Sequence, residues 1–215
     1  MKFEKDYFSG KTSCYSGGYK KADFLINART NLILKYKQPA KEKKILDVGC
    51  AYGFFLQGVD KKFSCFGLDI SKHAIRIAKK NTKAQLIVNS ADINWPYKNR
   101  FFDIITMWDL IEHLNNPEKS IKEAKRCLKK GGYLFIQTPN KYIRNLIGDK
   151  DKTHINKKSI SSWTKIFKKY GFQIIEKYTE FPRFVGKYDF INKFLKILGL
   201  PLGTNICLIL KNETN

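Results

Sequence analysis

Carboxylates stand at or near the ends of three consecutive predicted strands. Asp47 lies near the end of KILDV, the strand within FSCFGLDI is predicted to end at Asp69, and Asp92 ends QLIVNSAD. Because the carboxyl ends of parallel strands meet at one edge of a sheet, these side chains are predicted to line one pocket. A single aspartate would be explained as a cap on a strand or helix end, whereas the ordered set favours a ligand site.

The turn from Gly49 to Gly53 follows the first predicted strand and leads into a helix from about Phe54. Such a turn presents backbone N–H groups and a helix N-terminus to a ligand. Asp69 lies 20 positions after Gly49, a spacing that suits a carboxylate holding the two hydroxyls of a ribose. Neither the G-x-G-x-x-G dinucleotide pattern nor a G-x-x-x-x-G-K-S/T phosphate loop is present. A ligand with ribose and adenine but no phosphate therefore fits better.

The acids and one arginine suggest how such a ligand would be held. Asp92 would accept a hydrogen bond from an adenine amino group, and Asp47 would face a cationic part such as a sulfonium. Arg29 lies within an apolar stripe at helical spacing in residues 20–37. A guanidinium on a core-facing stripe needs a carboxylate partner. Two interpretations of Arg29 stand: an internal ion pair, or a clamp on a ligand carboxylate.

The segments ILDVGCAYGFFL, GLDIS, NSADINWPY, FDIITMWDLIEHL and GGYLFIQTPN together resemble the class I S-adenosylmethionine-dependent methyltransferases, over about residues 43–180. The resemblance implies an α/β, Rossmann-like fold: a seven-stranded, mostly parallel sheet with an antiparallel last strand and helices on both faces. It also implies that S-adenosylmethionine is the cofactor and S-adenosylhomocysteine the product. The residues implied to hold the cofactor are Asp47, Gly49, Cys50, Ala51 and Gly53 at the methionine end, Asp69 and Ile70 at the ribose, Asp92 and Ile93 at the adenine, and Met107 beside the methyl donor. Arg29 is counted with them, and Ala51 stands where many members have glycine.

Within that superfamily, DLIEHL followed by GGYLFIQTPN resembles the small-molecule enzymes, among them the ubiquinone-pathway O-methyltransferases. The NPPY-type signature of many enzymes that methylate nucleic-acid bases is missing. The resemblance therefore implies a small-molecule acceptor, with a hydroxyl group as the methylated position. Two alternatives remain: an RNA or protein methyltransferase, and a non-catalytic protein that binds S-adenosylmethionine.

An oxygen nucleophile benefits from losing its proton, and histidine titrates near the working pH. His113 and His154 are the candidates for general base, and Glu112 is placed with them in the catalytic set. In ubiquinone-type enzymes two acids and a histidine can hold a divalent cation, and Asp109, Glu112 and His113 resemble that set. Asp109 stands where those enzymes have glutamate. We therefore expect no metal, with Glu112 and His113 shaping the mouth of the substrate site.

The strands and helices that must position these residues alternate along a single predicted domain, 1–215. Ser71 and Ser159 are predicted N-caps, and a helix is predicted from Pro117 to Lys130. An aromatic-rich N-terminal arm and helix (1–37) and an insertion (181–203) are predicted to form a lid over the acceptor. Two alternatives for the insertion remain: packing on the sheet or in a dimer, and contact with a membrane surface or lipid tail.

The composition limits which partners and which cellular compartment we expect for this chain. The net charge is +22, from 41 lysines and arginines against 19 acids, which favours a lysine-rich composition over a polyanion site because no basic arm is concentrated. Five scattered cysteines without a CxxC pair predict reduced thiols and a cytoplasmic protein. We expect no transmembrane segment, with peripheral membrane contact as an alternative, and a monomer or homodimer.

Overall fold

A seven-stranded sheet organises the computed structural model, which describes residues 3–11, 13, 18–149, 151–181 and 189–213. Its strand order is β3-β2-β1-β4-β5-β7-β6. The strands are β1 (Lys44–Val48), β2 (Ser64–Asp69), β3 (Gln85–Val88), β4 (Phe102–Trp108), β5 (Leu128–Pro139), β6 (Phe172–Glu180) and β7 (Asn205–Asn212). The pairs among β1 to β5 are parallel, and β7 is antiparallel to both β5 and β6. The predicted fold class is confirmed.

Helices connect these strands. They are α1 (Lys5–Phe8), α2 (Asp23–Tyr36), α3 (Phe54–Val59), α4 (Lys72–Asn81), α5 (Pro117–Cys127), α6 (Lys141–Ile147), α7 (Ile160–Lys169) and α8 (Asp189–Leu198), with a 3-10 turn at Ile111–His113. The predicted N-caps are confirmed, because the Ser71 and Ser159 hydroxyls each accept a hydrogen bond of 3.1 Å from a backbone N–H three residues on. These caps fix where α4 and α7 begin.

Core residues cover both faces of the sheet. Neighbouring positions on one strand point to opposite faces, so Ile45 and Ile104 join one apolar cluster while Leu46 and Ile105 join the other. The first cluster includes side chains of α2 and α3, and the second includes those of α5 and α7. Both faces of the central strands are therefore buried, which leaves the strand ends as the place for a ligand.

Three boundaries differ from the sequence expectation. Strand β3 ends at Val88, so Asp92 lies in the following loop rather than at the strand end. Helix α5 ends at Cys127 rather than Lys130, because the fully buried Leu128 already pairs with Phe102 in the sheet. The irregular start of β5 then absorbs the two glycines that were predicted to stop the helix. The loop predicted after β5 contains α6.

Two further sequence expectations concern the thiols and the membrane. Four cysteines, Cys50, Cys65, Cys127 and Cys207, are buried free thiols, and Cys14 lies outside the described residues. In the described part of the chain, no helix combines the length and apolar character that a bilayer crossing requires.

Candidate functional site

A cavity of about 370 Å³ opens at the carboxyl ends of β1, β2 and β4. This is the edge where open α/β sheets bind ligands, and the volume lies within the usual range for small-molecule sites. The cavity wall brings together most of the residues predicted from the sequence: Arg29 from α2; Asp47, Gly49, Cys50 and Ala51 from β1 and its turn; Asp69 at the end of β2 and Ile70 after it; Asp92 after β3; and His113 after β4.

Three residues assigned to the cofactor lie outside the wall of this cavity. Gly53 has φ +72° and faces α4, where an added Cβ would lie 3.1 Å from the Ala78 side chain. Ile93 is exposed in the loop after β3, and Met107 is completely buried in the core. The cofactor assignments of Gly53, Ile93 and Met107 therefore stay predictions, and Trp108, the neighbour of Met107 at the end of β4, lines the cavity.

Asp69 ties the end of β2 to the turn after β1. One carboxylate oxygen accepts a hydrogen bond from the Ala51 N–H and the other from the Ser71 N–H, each at 2.8 Å. Burial raises the pKa of Asp69, while these two backbone hydrogen bonds act to lower it. Each carboxylate oxygen has a second lone pair, so Asp69 can accept two further hydrogen bonds from a ligand.

The turn itself is held in left-handed backbone conformations. The N–H groups of Gly49 and Cys50 both donate to the Leu68 carbonyl, at 2.8 and 3.0 Å. Gly49 has φ +74°, and Ala51 has φ +48°. Only glycine adopts such angles without a steric cost. Ala51 therefore places a side chain at a strained backbone position.

Replacing Gly49 with alanine is expected to damage this turn. The new Cβ would meet the Leu110 side chain at 2.8 Å, in addition to the cost of the positive φ. Gly148→Ala is the matched control, because Gly148 also has a positive φ but no atom lies within 4 Å of the place that an added Cβ would take. We expect Gly49→Ala to lower the free energy of unfolding by about 1–3 kcal/mol more than the control. Urea denaturation of both variants measures this, and equal losses would contradict the packing argument.

Asp47 is almost completely buried at the cavity wall, where its carboxylate accepts a hydrogen bond of 2.6 Å from the Thr106 hydroxyl. Burial raises the pKa of Asp47 to about 7, while the Thr106 hydrogen bond and the Arg29 charge act to lower it. A cationic ligand beside Asp47 would favour the ionised carboxylate. The Asp47 carboxylate would therefore be ionised more readily when a cationic ligand occupies the cavity.

Arg29 forms the internal ion pair that was one of its two interpretations. Its Nη2 atom lies 2.7 Å from a carboxylate oxygen of Asp109 and 2.6 Å from the side-chain oxygen of Gln137. The guanidinium also lies 4.9 Å from the centre of the Trp108 ring. Because Arg29 lines the cavity as well, its charge faces both the internal pair and any ligand.

Asp92 anchors the entry to α5. Its two carboxylate oxygens accept hydrogen bonds from the backbone N–H groups of Asn115 and Asn116, at 3.1 and 2.9 Å. The side chain is half-buried and lies in the cavity wall. Part of its hydrogen-bonding capacity is therefore used to hold the loop, and the rest faces the cavity.

A short hydrogen-bonded chain fixes the His113 imidazole in the wall. The Thr153 hydroxyl donates to a carboxylate oxygen of Asp151 at 2.5 Å, so its oxygen accepts from Nδ1 of His113 at 2.8 Å. The proton is thereby assigned to Nδ1, and Nε2 keeps its lone pair. Burial, together with the charge of His154, lowers the pKa of His113 to about 4. His113 is therefore neutral at physiological pH.

Glu112 and His154 lie close to His113 but do not line the cavity. Glu112 is fully buried, and one of its carboxylate oxygens accepts from the Thr138 hydroxyl at 2.9 Å. The other has no hydrogen-bond partner among the described residues and lies 4.0 Å from Nε2 of His113. Burial raises the pKa of Glu112 well above its usual range. Nδ1 of His154 lies 2.9 Å from the Asp149 carboxylate.

The residues that could together hold a divalent cation differ from the set that the sequence suggested. Asp109 is held by Arg29, whereas one potential ligand atom from each of Glu112, His113 and His154 lies within 4.8 Å of the others. One carboxylate and two imidazoles are donors suited to a transition metal. Of these three residues, only His113 lines the cavity.

Aromatic side chains of the N-terminal arm close one side of the cavity. Phe3, Tyr7 and Phe8 lie in its wall with Tyr19, and the Phe8 ring stacks on Tyr52 with ring centres 4.8 Å apart. No described residue of the insertion 181–203, which was predicted to be a lid, lines this wall. Residues 182–188 of the insertion are not among the described residues. The arm, rather than the described part of the insertion, therefore covers this site.

The sequence interpretation missed the Asp151–Thr153 support of His113. The run Asp151-Lys152-Thr153-His154 combines an acid, a hydroxyl and an imidazole within four residues, which was the available signal. It lies between β5 and α7, in the segment that was predicted to be a loop. Its contact with the end of β4 becomes visible only in the folded chain.

Comparison with known proteins identifies the family to which the chain belongs. A family model described as a methyltransferase domain matches residues 21–177. The ubiquinone biosynthesis O-methyltransferase of Pelagibacter ubique is 31% identical over 128 residues, which cover 55% of this chain and 53% of that protein. The enzyme of the same name from Coxiella burnetii is 33% identical over 140 residues, covering 61% and 60%. The chain thus spans about half to three-fifths of the length of these relatives.

Solved structures agree with the observed sheet topology. A SAM-dependent methyltransferase from Archaeoglobus fulgidus superposes with a TM-score of 0.70 over 95% of this chain and 97% of that chain, at 19% identity. At that identity the likeness shows the fold, while the family-model match over residues 21–177 shows the family. The chain belongs to the methyltransferase-domain family, within the class I superfamily whose cofactor is S-adenosylmethionine.

Proposed function

We propose that this chain transfers a methyl group from S-adenosylmethionine to a hydroxyl group of a small molecule. The observation that carries the proposal is that the Asp69 carboxylate and the neutral His113 imidazole lie in the wall of one cavity. The cofactor supplies a methyl group that its sulfonium already activates. The chain then has to align donor and acceptor, exclude water and remove one proton.

The donor half of the site is proposed along β1, β2 and β3. The remaining lone pairs of Asp69 would accept from the two ribose hydroxyls, and Asp92 would accept from the adenine amino group. Asp47, at the methionine end, would carry its negative charge more readily beside a sulfonium. The observed hydrogen bonds support this assignment because they hold Asp69 and the Gly49 turn in place without using all the carboxylate lone pairs.

The acceptor half is proposed around His113. Its Nε2 atom would take the hydroxyl proton, and the resulting imidazolium would be stabilised by the Asp151 carboxylate through Thr153. His154 lies outside the wall and contacts Asp149, so we assign it a supporting place beside His113. The two relatives are O-methyltransferases by name, which supports an oxygen acceptor for this chain as well.

The assay for this proposal measures transfer of a labelled methyl group to a panel of phenols, catechols and other hydroxylated small molecules. We expect a product methylated on oxygen, identified by mass spectrometry. The same preparation is incubated with bulk RNA and with unmodified proteins. Label that appears only in RNA or protein would contradict a small-molecule acceptor.

The Thr153 hydroxyl gives a test of the support for His113. Thr153→Val removes the nearer acceptor of the Nδ1 proton and keeps the Thr153 carbonyl, which lies 3.3 Å from Nδ1. We expect kcat to fall by about 5- to 20-fold with KM nearly unchanged. Thr164→Val is the matched control, because Thr164 is also buried and its hydroxyl donates to a carbonyl within α7 at 2.7 Å. A loss of kcat as large in the control would show a general effect of a buried threonine.

We expect methyl transfer to proceed without a metal. Incubation with EDTA followed by desalting should leave the initial rate of methyl transfer unchanged, since His113 removes the proton in the proposed mechanism. A loss of rate that Mn²⁺ or Zn²⁺ restores would instead place an ion among Glu112, His113 and His154. Restoration that disappears in His154→Gln would identify that site.

A further inference from the structure

Helix α8 turns several apolar side chains towards solvent. Phe190 is 79% exposed, Phe194 51% and Ile197 72%. These three positions share one side of the helix, because the side chains of an α-helix repeat every 3.6 residues. In a folded domain an amphipathic helix normally buries this stripe against the core.

Two polar side chains of α8, Asn192 and Lys196, contact the protein on the opposite side of the helix. Asn192 is buried, and its side chain accepts a hydrogen bond of 2.7 Å from the Phe181 N–H and donates one of 3.1 Å to the Phe181 carbonyl. Lys196 lies one turn on and forms an ion pair of 2.5 Å with Glu176 of β6. Polar contacts therefore hold α8 on the domain, and its apolar side is left for another surface.

Helix α6 extends this surface. It has no buried residue, and Leu146 is 81% exposed. The Asn140 side chain, at the start of α6, donates to the carbonyls of Pro201 and Gly203 at 3.0 and 2.9 Å, which fixes α6 to the segment that leaves α8. We call the exposed apolar residues of this region the apolar edge: Tyr142, Leu146, Ile147, Phe190, Phe194, Ile197, Leu198, Leu200 and Leu202.

The charges on α6 and α8 indicate what kind of partner the apolar edge would contact. Their sequences contain Lys141, Arg144, Lys193 and Lys196 but only one acid, Asp189. Lysine and aromatic side chains together are typical of helices that lie in the interface of an anionic membrane. A second copy of this chain fits less well, because each copy has a net charge of +22 and the charges around the edge would repel.

We propose that the apolar edge docks the protein on the surface of an anionic phospholipid membrane. Phe190, Phe194 and Ile197 would enter the interface, while Lys193 would contact lipid phosphates. Docking of this kind is peripheral, in keeping with the absence of a membrane-crossing helix from the described residues. The edge lies beyond the carboxyl end of β5, on the side of the sheet where the cavity opens.

Flotation of the full chain with vesicles tests this proposal. We expect the protein to float with vesicles of 30% phosphatidylglycerol in phosphatidylcholine, with at least about 10-fold less binding to pure phosphatidylcholine. The double variant Phe190→Ser/Phe194→Ser and the single variant Lys193→Glu should each lose most of this binding. Val88→Ser and Lys79→Glu are the matched controls, because both residues are exposed near β3, at the opposite edge of the sheet from β6. Both control variants should bind vesicles as the wild type does.

Melting temperatures and S-adenosylhomocysteine binding of all variants check that they fold. Absence of wild-type flotation with anionic vesicles, or full flotation of the folded double variant, would overturn the proposal. Light scattering gives the other decisive result: a concentration-dependent dimer that the double variant abolishes, without vesicle binding, would assign the edge to a second copy and also overturn it.

Discussion

Asp69→Ala is expected to weaken the binding of S-adenosylhomocysteine by at least about 100-fold, because each hydrogen bond to a charged group contributes about 1.5–3 kcal/mol. The variant loses the proposed acceptor of the ribose hydroxyls. It also frees the N–H groups of Ala51 and Ser71 that hold the turn and the start of α4. Isothermal titration calorimetry measures the affinity, and the effect should appear in the binding enthalpy as well.

A buried carboxylate elsewhere in the sheet controls for the loss of stability. Asp103 is as deeply buried as Asp69, accepts from the Lys44 N–H at 3.0 Å and pairs with Lys129 at 2.8 Å, but it lies at the start of β4, away from the cavity. Asp103→Ala should therefore lose stability and keep its affinity for S-adenosylhomocysteine. Equal loss of affinity in the two variants would mean that Asp69 acts only through the fold.

His113→Ala should lower kcat by about 100- to 10,000-fold while S-adenosylhomocysteine binding is kept, because the variant removes the proposed base and leaves the donor half intact. Stopped assays with the best acceptor of the panel measure kcat and KM. His73→Ala is the control, since His73 lies on α4 and contacts Tyr52 rather than the cavity. Retention of wild-type kcat in His113→Ala would exclude His113 as the base.

The pH dependence follows from the direction of the His113 shift. Its folded-state pKa is about 4, below the ordinary value of 6.5, so the unfolded chain binds the proton more tightly. The stabilising contribution of neutral His113 is complete above about pH 6.5 and is lost as the pH falls towards 4. The same titration should lower kcat/KM only below about pH 5, and Thr153→Val should move this limb of the profile. A wild-type limb near pH 6.5 would indicate an imidazole that is not buried as described.

The sequence was sufficient where chemistry depends on local pattern. Asp69 ends a strand, Gly49 follows one, and the distance between them along the chain is enough to predict a shared pocket. The Ser71 and Ser159 caps were likewise predictable, because a cap uses an N–H only three residues away.

The sequence was insufficient where the site depends on which face of a buried strand a side chain occupies. Met107 and Trp108 are neighbours on a strand that is apolar on both faces, so the sequence does not indicate which one reaches the cavity. The structure places Met107 in one apolar cluster and Trp108 in the other, beside Arg29. Asp151 and Thr153 were missed for a different reason, since they act on His113 from about 40 residues away along the chain.

The central claim is that one cavity holds the methyl donor against Asp69 with His113 on the acceptor side. A crystal structure of the chain with S-adenosylhomocysteine tests it most directly. We predict both ribose hydroxyls within hydrogen-bonding distance of the Asp69 carboxylate, and the sulfur directed to the side of the cavity that His113 lines. A ligand bound away from Asp69, or one whose sulfur is separated from His113 by the core of the domain, would contradict the account.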